Sequence, residues 1–295
     1  MFDSQVSVTI GEDGLRQRLL YFASDIHAYA LRAPEAGIGI LNYPPGANCA
    51  GLAYLAPALD SEAGQSLWFA LLDGLTAKAG EQGVVAIRAE VDDAAPAAFE
   101  TFRRCDFAVY ARQTLWAGSP PIDISGRRAL RRAGADEIDA AHDAWNARLP
   151  GLIRQAQGPA KSAEQYALDE RHSPSGFAAM HRGKGRALID LYLPLEGADQ
   201  ADQIVGDVLA AVGRTARKIV FRLRHDMEWV GNPLKQAGFE CVGSQAVMIR
   251  HTLARVQHYS FKTIPAKTGP LPTESLMSIS QSEERIGEGQ RQPAK

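Results

Sequence analysis

The stretch from Gly51 to Trp116 constrains the fold most, because strand-like and helix-like segments follow one another there in a definite order. An apolar segment closed by Pro57 predicts a strand, and a small polar loop is expected from Asp60 to Ser66. The segment LWFALLDGLTAKAGEQG then places leucines at helical spacing and stops at a glycine. A buried strand (VVAIRAEVD), a short helix (APAAFETFRRCDF) and a closing strand (AVYARQTLW) complete the unit. This order predicts an α/β domain.

The same order recurs in the second half of the chain. The segment GSPPIDISG contains prolines and glycines without helical spacing, which predicts a linker at residues 119–126. After it, RRCDFAVYARQTLW in the first half and KQAGFECVGSQAVMI in the second occupy the same place, roughly 130 residues apart, about one domain length. The repetition indicates a duplicated domain.

Two sequence patterns outside the central unit predict further elements. Near the amino terminus, apolar residues at helical spacing predict one helix, and these are Leu15, Leu19, Phe22, Ile26 and Tyr29. In the second half, Asp136 is the expected N-cap of a helix that carries Trp145 on its apolar face.

The order of elements, with a short helix that ends in Asp106-Phe107 or Gly238-Phe239, resembles the GNAT superfamily of acyl-CoA-dependent N-acetyltransferases. The resemblance implies an α/β (α+β) fold with two tandem GNAT-like domains, each a mixed, mostly antiparallel sheet flanked by helices. The predicted domains are residues 1–118 and 127–257. Residues 258–295 are rich in Pro, Ser, Gly, Gln and Glu, which predicts a disordered tail.

The resemblance also implies a site for acetyl-CoA, whose pyrophosphate would lie at the start of the long helix. Small residues are expected there, but one of the two glycine positions falls on Trp68 and the other on Ser66. Either the indole fills the cofactor slot and acetyl-CoA binding is lost, or neighbouring residues form a shifted cradle. The candidate cofactor-binding residues are Leu55 and Ala56, whose strand would hold the acetyl carbonyl, with Gly64, Gln65 and Ser66.

The catalytic residues that the resemblance implies are only partly present. The tyrosine that serves as general acid in the family falls on Phe102 in the first half and Leu234 in the second, and neither side chain can donate a proton. A general base could come from polar residues at the ends of the central strands. The candidates are Glu90, His225, Asp226 and Glu228, and solvated strand ends explain the same residues. In the family, the position of Trp145 borders the acceptor pocket, although an amphipathic core helix accounts for this tryptophan equally well.

Composition excludes several classes of function. A formal net charge of −2 gives no basic face for nucleic acid. The three cysteines, Cys49, Cys105 and Cys241, are scattered, which fits neither a disulfide framework nor a metal site and favours a reducing cytoplasm. Neither a signal peptide nor a membrane span is expected, because the amino terminus is acidic and no apolar run is long enough.

Two hypotheses about function follow from the residues and the resemblance. One is a GNAT-fold pseudoenzyme with weak or lost catalysis that binds a small-molecule amine or a protein partner. The alternative is an active acetyl-CoA-dependent N-acetyltransferase that uses a shifted cofactor loop in the first domain. The sequence predicts neither the acceptor nor the oligomeric state.

Overall fold

The computed structural model describes residues 26–31, 36–43, 45–59, 62–119, 130–147, 164–167, 176–183, 185–193, 195–212 and 216–252. All of these residues lie in one compact unit that ends at residue 255. The predicted tail at 258–295 and most of the predicted linker at 119–126 lie outside the described ranges. These two segments, and the domain boundaries that they define, stay predictions.

The described residues of the first half form five strands and two helices. In chain order they are β1 (Ile26–Leu31), β2 (Gly37–Asn42), β3 (Cys49–Ala56), α1 (Glu62–Glu81), β4 (Ala86–Asp92), α2 (Pro96–Arg104) and β5 (Ala108–Gly118). The strands and helices predicted between residues 37 and 118 are therefore present.

The described part of the second half repeats this order, with one more strand and one more helix at its start and two 3₁₀ helices. Its described elements are β6 (Arg131–Arg132), α3 (Ala135–Ala147), β7 (Glu164–Ala167), β8 (Phe177–Gly183), β9 (Arg186–Tyr192), a 3₁₀ helix (Leu195–Gln200), α4 (Ala201–Val212), β10 (Lys218–Arg224), a 3₁₀ helix (His225–Val230), α5 (Gly231–Gln236) and β11 (Glu240–His251). From β7 onward, each strand and α-helix has a counterpart in the same order in the first half, which is what the duplication inferred from the sequence predicts.

All eleven described strands form one sheet, in the order β1-β2-β3-β4-β11-β5-β10-β9-β8-β7-β6. The closing strand of the second half, β11, lies between β4 and β5 of the first half, and β5 in turn pairs with β10. Outward from the β5–β11 pair, the two sides of the sheet follow the same order as far as β1 and β7, and β6 adds one more strand beyond β7. Only β3–β4 and β9–β10 are parallel, and the other described strand pairs are antiparallel. The predicted fold class is thus confirmed, with the two halves joined through exchanged closing strands.

The structure corrects three local predictions. Residues Ile26–Leu31 form strand β1 rather than the end of a helix, because their backbone pairs with β2 along its whole length. Helix α1 begins at Glu62, so the polar loop expected up to Ser66 is mostly helical. Helix α3 begins at Ala135, so Asp136 lies in its first turn instead of capping it. Residues 1–25, with the rest of the predicted amino-terminal elements, lie outside the described ranges.

Each half has its own hydrophobic core on the helical side of the sheet. The first core packs β3 and β4 against α1 and α2 and includes Ala246 and Met248 of β11. The second core packs β9 and β10 against α4 and α5 and includes Phe239, which directly precedes β11. Because successive strand residues point to opposite faces, the polar residues of β4 and β10 lie on the other side of the sheet.

Candidate functional site

Buried charged residues meet at the centre of the sheet, on the face opposite the two helical cores. Arg222 of β10 is the hub: its Nε lies 2.6 Å from Asp190 Oδ1 and its Nη2 lies 2.7 Å from Asp190 Oδ2. Its Nη1 donates to Glu90 of β4, whose side chain is 2% exposed. His181 Nε2 lies 3.5 Å from Asp190 Oδ2, and Arg88 Nη2 lies 4.0 Å from Glu90 Oε1. The arrangement is a charge network that crosses from one half of the chain to the other.

The charges of this network stabilise one another. Burial by itself raises the pKa of Asp190, but the positive charge of Arg222, with hydrogen bonds from His181 and Arg222, holds the pKa of this carboxyl well below its usual range. Burial alone lowers the pKa of Arg222, and the charges of Asp190 and Glu90 outweigh it and raise that pKa. Both partners are therefore ionised at neutral pH. Burial, followed by the charge of Asp190, raises the pKa of the neighbouring Tyr192 phenol to about 12.

A pocket of about 50 Å³ lies above this network and takes its walls from both halves. Its other polar walls come from Arg224, from Tyr110 and Gln113 of β5, and from Trp145 and Asn146 of α3. Gln113 Nε2 donates to Gln245 Oε1 at 2.9 Å, which fixes both amides below the pocket.

Two of the walls carry aromatic rings with defined contacts. The guanidinium of Arg224 lies 5.6 Å from the centre of the Tyr110 ring, and its Nη2 lies 3.4 Å from the Tyr110 hydroxyl. Trp145 packs edge-on against Tyr192, with 5.5 Å between ring centres. The side of the pocket formed by α3 is thus aromatic, whereas its floor is charged.

A second feature lies on the helical side of the first half, where β3 and β4 diverge. The two parallel strands pair only at their beginnings, from Cys49 opposite Ala86 to Gly51 opposite Arg88. The corresponding strands β9 and β10 stay paired up to Asp190 opposite Arg222. A gap therefore opens between the carboxyl ends of β3 and β4.

Three aromatic side chains of the first core pack against one another close to the end of β3. Trp68 of α1 is 4% exposed, and its Nε1 donates to the carbonyl oxygen of Pro57 at 2.9 Å, just beyond the end of β3. Its ring packs edge-on against Phe102 of α2, which is fully buried and packs in turn against Phe107. Beside them, Gln65 Nε2 donates to Thr101 Oγ1 at 3.3 Å, which ties α1 to α2.

Similarities to solved structures match this architecture. The chain is similar to a putative acetyltransferase from Pyrococcus horikoshii, with 14% identity and a TM-score of 0.50 over 84% of this chain and 83% of that one. It is similar to a GCN5-related N-acetyltransferase from Sphaerobacter thermophilus, with 12% identity and a TM-score of 0.51 over 82% and 85% of the two chains. A tandem GNAT protein from the clavulanic acid biosynthesis pathway also matches, at 16% identity and a TM-score of 0.42 over 79% and 86%. No family model and no curated protein matches the sequence.

The chain has the N-acetyltransferase fold. At these identities the first two similarities establish the fold alone. Activity has to be argued from the residues that stand at the sites of this fold.

The GNAT resemblance places acetyl-CoA between the diverging strands and at the start of α1. Trp68 lies in the second turn of this helix, where it is buried, donates to the carbonyl oxygen of Pro57 and packs against Phe102. A buried, hydrogen-bonded indole differs from the small side chains that the resemblance implies at this place. Phe102, which is fully buried, stands where the resemblance implies a tyrosine, and its side chain cannot act as a general acid.

The candidate cofactor-binding residues are distributed over the two sides of that gap. Leu55 and Ala56 end strand β3, with Leu55 buried in the first core. Gly64, Gln65 and Ser66 lie in the first turns of α1 rather than in a loop before it. Their assignment to a cofactor stays a prediction.

Of the candidate catalytic residues, Glu90 lies in the central pocket and the other three lie outside it. His225 Nδ1 is 2.8 Å from Glu228 Oε1 at the end of β10, and both side chains are more than half exposed. Asp226 lies between them and is exposed too. The structure thus brings Glu90 together with Asp190 and Arg222, which sequence reasoning did not select.

A signal for these two missed residues was present in the sequence. Asp190 interrupts the apolar run ALIDLYL, and Arg222 interrupts IVFRL, each with apolar residues on both sides of it in the sequence. A charged residue inside a buried strand is rare unless it is paired. Two of opposite sign on neighbouring parallel strands predict an ion pair.

Two further observations concern the described residues only. None of their His, Cys, Asp and Glu side chains form a group that could hold a metal ion. None of their helices is both long and apolar enough to cross a membrane.

Proposed function

We propose that this chain is a non-catalytic, binding member of the N-acetyltransferase fold, with its ligand in the central pocket. The observation that supports the proposal is the position of Trp68, which is buried close to the end of β3 and held there by its hydrogen bond to the carbonyl oxygen of Pro57. The absence of a general acid at Phe102 also supports a non-catalytic protein. A general acid is worth about 10²–10⁴-fold in rate, so its loss alone would slow acyl transfer without abolishing it. The closed cofactor slot is the more severe defect.

The partner in this proposal is a small molecule. The central pocket collects side chains from β4, β5, β9, β10 and α3, and such convergence of polar groups in a concave site is typical of ligand binding. A protein partner would need an exposed surface, whereas the described residues that converge here are mostly buried. Three free cysteines fit a protein that works in the reducing cytoplasm.

The alternative function is acetyl-CoA-dependent N-acetyl transfer by the first half. It is favoured by one observation, the divergence of β3 and β4 beyond Gly51 and Arg88, which is the place where the thioester arm would enter. In this alternative the side chain of Trp68 swings away and the first turns of α1, with Gly64, receive the pyrophosphate.

Titration with acetyl-CoA separates the two functions. A ligand present at 100 times its dissociation constant stabilises the fold by about 2.7 kcal/mol, which thermal unfolding detects easily. We expect neither a shift in Tm nor heat of binding for the unmodified protein at millimolar acetyl-CoA. A clear shift would contradict the proposal and establish the alternative.

The substitution Trp68→Ala tests the same proposal through an expected gain of acetyl-CoA binding. Removing the indole opens the slot, so we expect this variant to gain acetyl-CoA binding, at a cost of about 3–5 kcal/mol in stability. Leu72→Ala is the matched control, because Leu72 is buried on the same helix one turn further along. It creates a cavity without opening the slot and should gain no binding. If both variants stay inert, the gap between β3 and β4 is not a closed cofactor slot.

A further inference from the structure

The wall that helix α3 contributes to the central pocket contains a hydrogen-bond donor without an acceptor. Trp145 lines the pocket and is 7% exposed, and its Nε1 is buried with no hydrogen-bond partner among the described residues. An indole N–H can only donate, so its partner has to be an acceptor atom. Buried donors are normally satisfied by protein, water or a ligand. A ligand that presents an acceptor to Trp145 would satisfy this one.

The charged side chains of the pocket floor already have partners. Arg222 donates to Asp190 and to Glu90, and Arg88 lies beside the same Glu90. Arg224 contacts the ring and the hydroxyl of a tyrosine on β5. A ligand carboxylate or ammonium group would have to displace these partners, and a buried charge that loses its partner is costly. A neutral ligand leaves the pairs intact.

The size and the lining of the pocket narrow the class of ligand further. A volume of about 50 Å³ is room for roughly three to five water-sized groups, so the buried part of the ligand is small. Asn146 follows Trp145 and lines the same pocket, and its side-chain amide can both donate and accept. An amide group on the ligand matches this wall, because it is planar and neutral and carries both an acceptor and a donor.

We infer that the central pocket binds a small neutral amide, whose carbonyl oxygen accepts a hydrogen bond from Trp145 Nε1. The inference rests on the proposed function in placing the ligand in this pocket, and it names the class of that ligand. It also replaces the amine that the family resemblance implies as a partner. A free amine is protonated at neutral pH and has only donors, whereas an acylated amine carries the acceptor that the indole requires.

The indole N–H signals of the full chain test the inference directly. Four tryptophans give four side-chain signals in a ¹H–¹⁵N correlation spectrum, and Trp145→Phe identifies the signal of Trp145. The probes are acetamide, acetate and acetamidinium, which share one shape but are neutral, anionic and cationic respectively. Each is titrated separately at neutral pH and constant ionic strength. Acetamide should move the Trp145 signal downfield and saturably, with a dissociation constant on the order of millimolar because so small a ligand makes few contacts.

The other three indoles are internal references in the same spectrum. The Nε1 of Trp229 is also buried without a hydrogen-bond partner among the described residues, but Trp229 does not line the pocket. Trp68 and Trp116 already donate to oxygen atoms of the protein. All three signals should stay in place when acetamide is added, which separates binding in the pocket from a general effect of the probe.

Substitution of the two unpartnered indoles links the signal to binding. Trp145→Phe keeps an aromatic ring and removes the N–H donor, so acetamide binding should weaken by about five- to tenfold. Saturation transfer from the protein to the acetamide methyl group measures this binding without the indole signal. Trp229→Phe is the matched control, because it removes an unpartnered indole outside the pocket and should leave acetamide binding unchanged. The dispersion of the backbone signals shows whether each variant is folded.

A Trp145 signal that stays in place with acetamide would overturn the inference. So would an equal movement of all the indole signals, an equal or larger response to acetate or acetamidinium, or undiminished acetamide binding by Trp145→Phe. These results are independent of the acetyl-CoA titration, which tests the cofactor slot in the first half. Acetyl-CoA binding together with the expected acetamide response would remove the non-catalytic assignment and leave the amide site. The reverse pair of results would remove only the amide site.

Discussion

Glu90 and Arg222 hold equivalent places in the two halves, 132 residues apart, and they form an ion pair with each other. Gln113 and Gln245 show the same separation and the same mutual contact, but they have remained identical. The difference follows from chemistry. An amide both donates and accepts, so two copies of it satisfy each other across a two-fold relation. Two copies of a charged residue would repel, and only a change of sign in one half permits burial.

The ion pair of Asp190 with Arg222 predicts how the free energy of unfolding changes at acidic pH. The pKa of Asp190 is lowered in the folded protein, so its contribution to stability is complete above its unfolded-state pKa of about 3.9 and is lost progressively as the pH falls below it. Asp190→Asn should therefore unfold more readily at pH 7 and lose less additional stability between pH 5 and pH 3. Urea unfolding followed by circular dichroism across this range measures both effects.

Asp136→Asn serves as the control for this substitution, because Asp136 is exposed on α3. Its stability curve should run parallel to that of the unmodified protein. A parallel curve for Asp190→Asn as well would mean that the buried pair is not what links folding to pH in this range.

At the residue scale, the sequence selected Glu90 as a candidate site residue and did not select the partners with which it pairs. Glu90 was visible because it ends a strand beside two other acids, whereas Asp190 and Arg222 lie inside apolar strands and look like isolated exceptions. Their meaning depends on the parallel register of β9 and β10, which places them opposite each other. Register between strands is a tertiary property, and no local pattern contains it.

At the scale of elements, periodicity predicted β4 and β10 well, because alternate residues of each strand lie in a hydrophobic core. It failed at β1, where His27, Tyr29 and Leu31 alternate with smaller apolar residues and also extend a helical spacing that begins at Leu15. Backbone pairing with β2 makes this segment a strand and not the end of a helix. Periodicity also placed the start of α1 too late, because Glu62 and Ala63 favour a helix without contributing to an apolar stripe.

The close contact between β5 and the second core makes a prediction for one glycine. A Cβ added to Gly118 would lie 2.8 Å from the Phe239 ring, so Gly118→Ala should cost about 1–3 kcal/mol through displacement of that buried ring. Gly243→Ala, in the neighbouring strand β11, meets no atom within 4 Å and should change stability by less than about 0.5 kcal/mol. Urea unfolding of both variants measures the difference, and equal effects would show that the ring gives way freely.

At the scale of the whole molecule, the sequence indicated a duplication but not how the copies combine. β5 and β11 hold equivalent positions in the two halves, and no local pattern decides whether each closes its own half or the other. Exchange of the two strands produces one continuous sheet instead of two separate ones. It also places the central pocket where the halves meet, which is why its walls come from both.

Strand exchange predicts that neither half folds alone. A fragment of residues 1–126 lacks β11, so the edges of β4 and β5 would be unpaired and the core positions of Ala246 and Met248 would be empty. We expect this fragment and the fragment 127–295 to be unfolded or aggregated separately, and to form a one-to-one complex with native-like circular dichroism when they are co-expressed.

A protease site inserted within residues 119–126 of the full chain is the control for this experiment. After cleavage the two pieces should stay associated on size exclusion, because the β5–β11, β4–β11 and β5–β10 pairings hold them together without the covalent link. Cooperative unfolding of the isolated 1–126 fragment at the temperature of the intact protein would refute the exchange, since a half that closes its own sheet has no need of a strand from the other.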